Sequence, residues 1–126
     1  MKSATPARTV REFKALMQTD PQEVKFVRSL DDWKAYVRNG NGKENPLRRL
    51  TEADIREFTQ DLKFNGGGIA GANLRVLQEK LTYLEYRDVL AAFGMDVVFA
   101  EDHQGYACVG VGDCATNQTH ICTSNC

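Results

Sequence analysis

The chain has 126 residues, 42% of them hydrophobic and 26% charged, and a formal net charge of -1. Those values fit one globular domain and exclude a collagen-like repeat and wholesale disorder. No run approaches the roughly 18 to 20 consecutive apolar residues that span a bilayer, and the near-neutral balance sets up no global field toward nucleic acid or a membrane surface.

Val10, Phe13 and Met17 recur at helical spacing between Thr9 and the Thr19-Asp20-Pro21 break, which predicts a first helix. Ser29, with Asp32 three residues on, has the form of a capping box, and Trp33, Tyr36 and Val37 follow on one helical face. Asn39-Gly40-Asn41-Gly42 predicts a turn, because Asn and Gly enter positive φ cheaply, and Pro46 reinforces the break. A second block opens at Thr51, again with an acid three residues on (Asp54), and carries the stripe Ile55, Phe58 and Leu62. Phe64-Asn65-Gly66-Gly67-Gly68 ends it and reads as a flexible loop between helices. Asn73 is a cap for a short helix bearing Leu74, Leu77 and Leu81. Thr82 and Glu85 form a full capping box. Tyr83, Tyr86, Leu90 and Phe93 then follow at helical spacing, and Gly94 is the stop, as a glycine just past a helix end. Val97-Val98-Phe99-Ala100 reads as one short strand or the end of the core.

These elements predict a mainly α fold: a small helical bundle followed by an irregular, cysteine-rich C-terminal tail. Residues 1–50 form an N-terminal helical region, residues 51–100 a compact helical unit, and residues 101–126 a flexible tail rich in Cys, Thr and Gly.

Charge divides the chain the same way. Up to Arg87, the last basic residue, there are 16 basic and 12 acidic side chains, a net of +4; after it come Asp88, Asp96, Glu101, Asp102 and Asp113 alone, a net of -5. All four cysteines, Cys108, Cys114, Cys122 and Cys126, lie in the tail. Residues 1–10 contain no apolar signal-peptide core, so a cytoplasmic start is expected beside a disulfide-like end.

Several motifs carry less than their form promises. Gly66-Gly67-Gly68-Ile69-Ala70-Gly71 matches the dinucleotide-binding pattern literally, but that motif needs a buried strand before it, and an amphipathic helix precedes it here. Arg48-Arg49 with Lys43 is a small basic cluster. A recognition helix needs donors toward phosphates, yet the segment after Thr82 sets Glu85 and Asp88 against Arg87, so no nucleic-acid partner is expected. Cys108, Cys114, His120, Cys122 and Cys126 are an alternative metal set, with His103 nearby. Their spacings, C-x5-C, C-x7-C and C-x3-C, lack the close knuckles of zinc sites, so the leading reading places no metal. No basic cradle surrounds any cysteine to make it a catalytic thiolate. The chain is therefore read as a non-enzyme that holds no cofactor.

The tail is the most specific feature. Thr119-His120-Ile121-Cys122 and Thr123-Ser124-Asn125-Cys126 give T-x-x-C twice in succession. A Thr or Ser hydroxyl can be activated and eliminated, and a nearby cysteine can add to the resulting double bond, closing a thioether ring; short spacing favours closure. Thr116, Thr119, Thr123 and Ser124 are the dehydratable residues. Cys108 and Cys114 have no upstream Ser or Thr closer than Thr82 and are candidates for a disulfide with each other or for another modification. An ordinary two-disulfide knot is the competing reading; four cysteines allow three connectivities.

A charged helical head followed by this short tail resembles a precursor of a ribosomally synthesised, post-translationally modified peptide, and Cys122-Thr123-Ser124-Asn125-Cys126 is similar to the ring-forming ends of lanthipeptides. The resemblance covers about the last 20 residues. It implies a leader that recruits a peptide-modifying enzyme and a leader protease, a precursor that is cytoplasmic, and a core that is exported as an antimicrobial or signalling peptide directed at an envelope or membrane. Tyr83, Tyr86 and Leu90 are candidates for enzyme recognition, or else for the head's own core. The alternatives are a small metal-binding or redox-responsive protein using the tail cysteines and a disulfide-stapled secreted effector.

Overall fold

A computed structural model of the chain describes residues 2–39 and 45–126. Its elements in chain order are β1 (Lys2–Ser3), α1 (Val10–Met17), β2 (Val24–Lys25), α2 (Leu30–Asn39), a 3-10 turn (Pro46–Arg49), α3 (Glu52–Gln60), β3 (Lys63–Asn65), β4 (Gly68–Asn73), α4 (Arg75–Lys80), α5 (Tyr83–Ala92), α6 (Val97–His103), β5 (Gln104–Gly110) and β6 (Asp113–Cys122). The turn read at Asn39-Gly40-Asn41-Gly42 and the Lys43 of the basic cluster lie largely outside the described residues.

The helix starts follow their capping chemistry. Thr9 accepts from the Glu12 amide at 3.1 Å, and Glu12 reaches back to the Arg8 amide at 2.8 Å. Thr51 with Asp54 and Thr82 with Glu85 make complete reciprocal boxes. Ser29 accepts from the Asp32 amide, but Asp32 reaches one residue further back, to the amide of Arg28. Asn73 is not the cap of α4: Leu74 holds that position without a side-chain cap bond, and Asn73, one residue earlier, accepts from the Arg75 amide at 3.1 Å. Gly94, at φ 83°, closes α5 by donating to Ala91, and the Met95 amide behind it bonds to Leu90.

These helices bury one aromatic core. Trp33 is buried from α2, with Phe58 and Phe93 at ring distances of 5.2 and 5.3 Å, and its indole N–H donates to Thr59 Oγ1 at 2.9 Å. Phe13 stacks on Phe99 at 4.6 Å. The segment before α1 is pinned to the same core, since Ala7 bonds to Gly94 and Asp96 through its backbone.

A mainly α fold is not what forms. The described chain is 45% helix and 26% strand, and its second half is organised on an antiparallel sheet of order β3-β4-β6-β5. Three readings change with it. The glycine run is no interhelical loop but a β3–β4 hairpin: Gly66 (φ 64°) and Gly67 (φ 91°) are the two positive-φ residues that a tight two-residue hairpin turn demands. Of the two readings of Val97–Ala100 the strand fails, because the run lies in α6, started by Asp96 Oδ1 accepting from the Val98 amide, while the core reading holds, with Val97, Phe99 and Ala100 buried. The tail is not irregular: residues 104–122 supply two of the four strands, and Ile121 is fully buried in the main core. The physical reason is β4. Its Gly-Ile-Ala-Gly-Ala sequence is buried from residue 68 to 72, because side chains this small let neighbours close over the strand, and the tail provides the covering strands. Among the described residues no helix is long and apolar enough to cross a membrane.

Candidate functional site

The residues singled out by the tail chemistry converge on the β5–β6 hairpin and the turn after it. Cys108 sits opposite Cys114 across the hairpin. Neither bonds to the other. Cys108 is joined to Cys126 and Cys114 to Cys122, with Cα separations of 5.8 and 6.1 Å, in place of the Cys108–Cys114 pair considered from sequence. The second bridge needs a sharply bent strand. Cys114 and Cys122 are eight residues apart on β6, and a straight strand at about 3.3 Å per residue would hold them about 26 Å apart. The bend is visible in the register: Gln104 faces Ile121 and the very next residue, Gly105, faces Asn117. Residues 118–120 have no register partner on β5, and β6 bends there so that Cys114 meets Cys122.

Beneath the bridges lies a small separate cluster of Ala70, Cys108 and Cys122, with Cys126 packed against it. The Sγ atoms of Cys108, Cys122 and Cys126 all lie within 4.8 Å of one another. Gly71 makes this possible. A Cβ there would stand 3.0 Å from Cys108 Cβ and 3.2 Å from the Ile121 carbonyl oxygen, so any side chain would have to push one of them back. Lys63 Nζ donates to the Cys108 carbonyl at 2.6 Å and brings a positive charge to the cluster's edge.

The tail is held to the head by hydrogen bonds. β6 pairs with β4 over Gly71–Cys122, Ala72–Ile121 and Asn73–His120. The Leu74 amide donates to the Thr119 carbonyl at 2.8 Å, and the Thr123 amide donates to Ala70 at 2.9 Å. Asn125 Nδ2 reaches the Ile69 carbonyl at 3.2 Å, and Asn65 Nδ2 donates to the Asn125 carbonyl at 2.9 Å.

The four hydroxyl candidates are not equivalent. Thr116 and Ser124 are exposed, Thr119 is half-buried, and Thr123 is buried with its hydroxyl donating to Ile69. Cys114 is exposed and His120 half-buried on β6; neither belongs to the three-sulfur group, and His120 lines a cavity of about 240 Å³ with Cys108, Lys63 and Gly71. The recognition trio separates as well. Tyr86 and Leu90 belong to the core, Tyr86 with its hydroxyl bonded to Gln78 and its ionisation pushed up by burial. Tyr83 is 63% exposed beside the exposed Leu84. Sequence reasoning missed Lys63, Gly71, Asn65 and Asn125. The one signal for them is the glycine run itself, which marks a hairpin once it is read as a turn followed by a strand of small residues.

Comparison of the chain with protein-family models, with curated proteins and with solved structures gave no match.

Proposed function

We propose that the chain is a precursor in which a folded head presents its own C-terminal segment for modification and release. The observation that carries this reading is the partition of cross-links. Both disulfides begin and end within residues 108–126, and none reaches the head. A single backbone cut near the α6–β5 junction would therefore free a doubly closed peptide with no covalent tie to the head, held to it by β4 pairing, the buried Ile121 and side-chain contacts such as Lys63 to the Cys108 carbonyl and those of Thr123 and Asn125. The head, not itself an enzyme in this reading, supplies a docking surface for a modifying enzyme and a leader protease, with Tyr83 and Leu84 as its exposed apolar contact. The precursor is cytoplasmic and the freed peptide is exported, as an antimicrobial or signalling product directed at an envelope or membrane.

Thioether closure fits this scheme only on a tail that has been reduced and lifted from β4. Each ring then loses one water: the Thr hydroxyl leaves with its α-proton, and the cysteine S–H adds across the double bond. Thr116 and Ser124 are open to such an enzyme in the folded chain, whereas Thr123 requires β6 to detach.

One observation favours a second reading. Ile121 and Thr123 are buried against the head, which is what a single disulfide-stapled effector, retained whole, would need. Intact and fragment masses of the protein from its native host, with and without reduction and thiol alkylation, separate the two. A released C-terminal peptide supports the precursor, and water losses at Thr119 or Thr123 with cysteines that resist alkylation identify thioether rings. A full-length mature chain with unchanged threonines and four alkylatable cysteines after reduction overturns the precursor reading.

A further inference from the structure

We propose that the reduced chain folds the four tail cysteines into a tetrathiolate site for one zinc-class, thiophilic divalent cation, so that the C-terminal hairpin is closed by disulfides when oxidised and by metal when reduced.

Cys108, Cys122 and Cys126 already place their Sγ atoms within 4.8 Å of one another, and Cys114 brings the fourth sulfur through its bond to Cys122. Zinc bound at about 2.3 Å in a tetrahedron holds its sulfurs about 3.8 Å apart. Within the three-sulfur group the unbonded sulfurs need to close by at most about an ångström to meet that geometry, while each reduced pair opens by about 2 Å from its bonded distance, which brings Cys114 in from the edge of the group.

The backbone keeps the ligands there without the disulfides. Cys108 and Cys114 face each other across the β5–β6 hairpin, and Cys122 is paired with Gly71 on β4. Cys126 is turned back over them by its own amide, which donates to the Thr123 carbonyl at 3.0 Å. The ligands thus come from two strands and a tight turn, each anchored by main-chain hydrogen bonds. The site floor is apolar, formed by Ala70, and Cys108 and Cys122 are themselves buried. Lys63, donating to the Cys108 carbonyl, offsets part of the charge that four thiolates around a divalent ion leave behind. Soft thiolate donors select zinc-class and cuprous ions over magnesium or calcium.

Each disulfide takes two electrons and two protons from a cellular dithiol of the thioredoxin class, which closes to its own disulfide. The cation then displaces the four thiol protons, leaving a site of net charge -2. His120 takes no part, since four thiolates already fill the tetrahedral set.

The test uses the full chain, reduced with a phosphine under anaerobic conditions and titrated with Co2+, then with Zn2+. One Co2+ per chain with the intense visible absorption of tetrahedral thiolate coordination, displaced by one Zn2+, is expected, with no binding to the oxidised chain. Hydrogen exchange read on the same samples should show protection of the Leu74 and Thr123 amides restored by metal. Cys114→Ser should weaken affinity at least tenfold and dull the cobalt spectrum, while His120→Ala should leave both unchanged. Absence of binding, a pale octahedral cobalt spectrum, an equal loss in His120→Ala, or binding without return of amide protection (thiols of an unfolded tail chelating at random) would each overturn the proposal.

Discussion

The Thr123 hydroxyl donates to the Ile69 carbonyl oxygen at 2.7 Å, which ties the last turn of the chain to the second residue of β4 across 54 positions of sequence. Thr123 is buried, and the same hydroxyl accepts from the Asn125 amide at 3.1 Å, so one side chain satisfies a strand carbonyl and a turn amide together. Thr123→Val keeps the shape and removes both bonds. Asn125 Nδ2 remains near the Ile69 carbonyl, which limits the loss, so the cost should be about 1–2 kcal/mol. A lowered denaturant midpoint with an unchanged slope checks it. Thr123→Ser, which keeps the hydroxyl, should recover most of the difference.

Gly71 is the β4 position where an added Cβ would press on anchored neighbours. The Cβ of Gly71→Ala would meet Cys108 Cβ and the Ile121 carbonyl, a strand atom and a disulfide-anchored atom, neither of them the free end of a flexible side chain. Overpacking of this kind costs about 1–3 kcal/mol. Gly110→Ala is the control: its backbone is not at positive φ and its nearest neighbour would be 4.0 Å away. Thermal unfolding of the two variants should show a loss for the first and little change for the second. Equal behaviour would mean that the β4–β5 approach is looser than described.

The helical half of this fold was open to sequence reading because its signals are local. Thr51 with Asp54, Thr82 with Glu85, and Gly94 each announce a helix boundary through chemistry confined to three or four residues, and each boundary stands where that chemistry puts it. The sheet left one local trace, the Gly66-Gly67 turn of the β3–β4 hairpin. β4 is Gly-Ile-Ala-Gly-Ala-Asn, with neither alternation nor β-branched enrichment beyond Ile69, since its role is to be thin enough for close neighbours. β5 and β6 are bent and bulged, so their inward residues fall out of the two-residue period. The tail chemistry was legible as a concentration of Cys and Thr, but the disulfide partners depend on the β6 bend, a long-range result of pairing with β4. Of the recognition candidates, the periodicity that joined Tyr83, Tyr86 and Leu90 is a core periodicity, and it points Tyr83 off the end of the buried stripe.

The two complete capping boxes set the acid limit of the helical half. Hydrogen bonds from the Thr51 and Thr82 amides hold the Asp54 and Glu85 carboxyls below their ordinary ranges, aided by Lys80 and Arg49 respectively. A carboxyl depressed in the folded state contributes stability that is present above its unfolded pKa and lost as pH falls through the folded one. Stability should therefore decline on acidification below the usual carboxylate range. In Asp54→Asn and Glu85→Gln that acid limb should be shallower, with lower stability at neutral pH. Thr82→Ala removes the acceptor for the Glu85 amide and should cost about 1 kcal/mol at neutral pH. Denaturant unfolding between neutral and strongly acid pH checks all three, and an acid limb identical to the wild type in both carboxylate variants would contradict the assignment.

Tyr36 sets the alkaline limit. Burial beside Trp33, whose ring centre is 5.7 Å away, pushes its phenol up to about 12, and the Asp88 charge pushes in the same direction. An unfolded tyrosine ionises near 10. A group whose pKa is raised by folding costs the native state nothing below the unfolded value, and stability falls as pH climbs from that value toward the folded one. The wild type should accordingly lose stability between about pH 10 and 12, and the loss should shrink in Tyr36→Phe, which has no proton to release. Lysines also titrate in this window, so the informative quantity is the difference between the two proteins. That difference should be constant below the window and shift in favour of Tyr36→Phe across it. Tyr86 is raised as well, but Tyr86→Phe also forfeits the Gln78 hydrogen bond, so it should start from lower stability at neutral pH and gain less at high pH. A wild-type and Tyr36→Phe difference that stays flat to the top of the window would show that the Tyr36 phenol is already open to solvent in the folded chain.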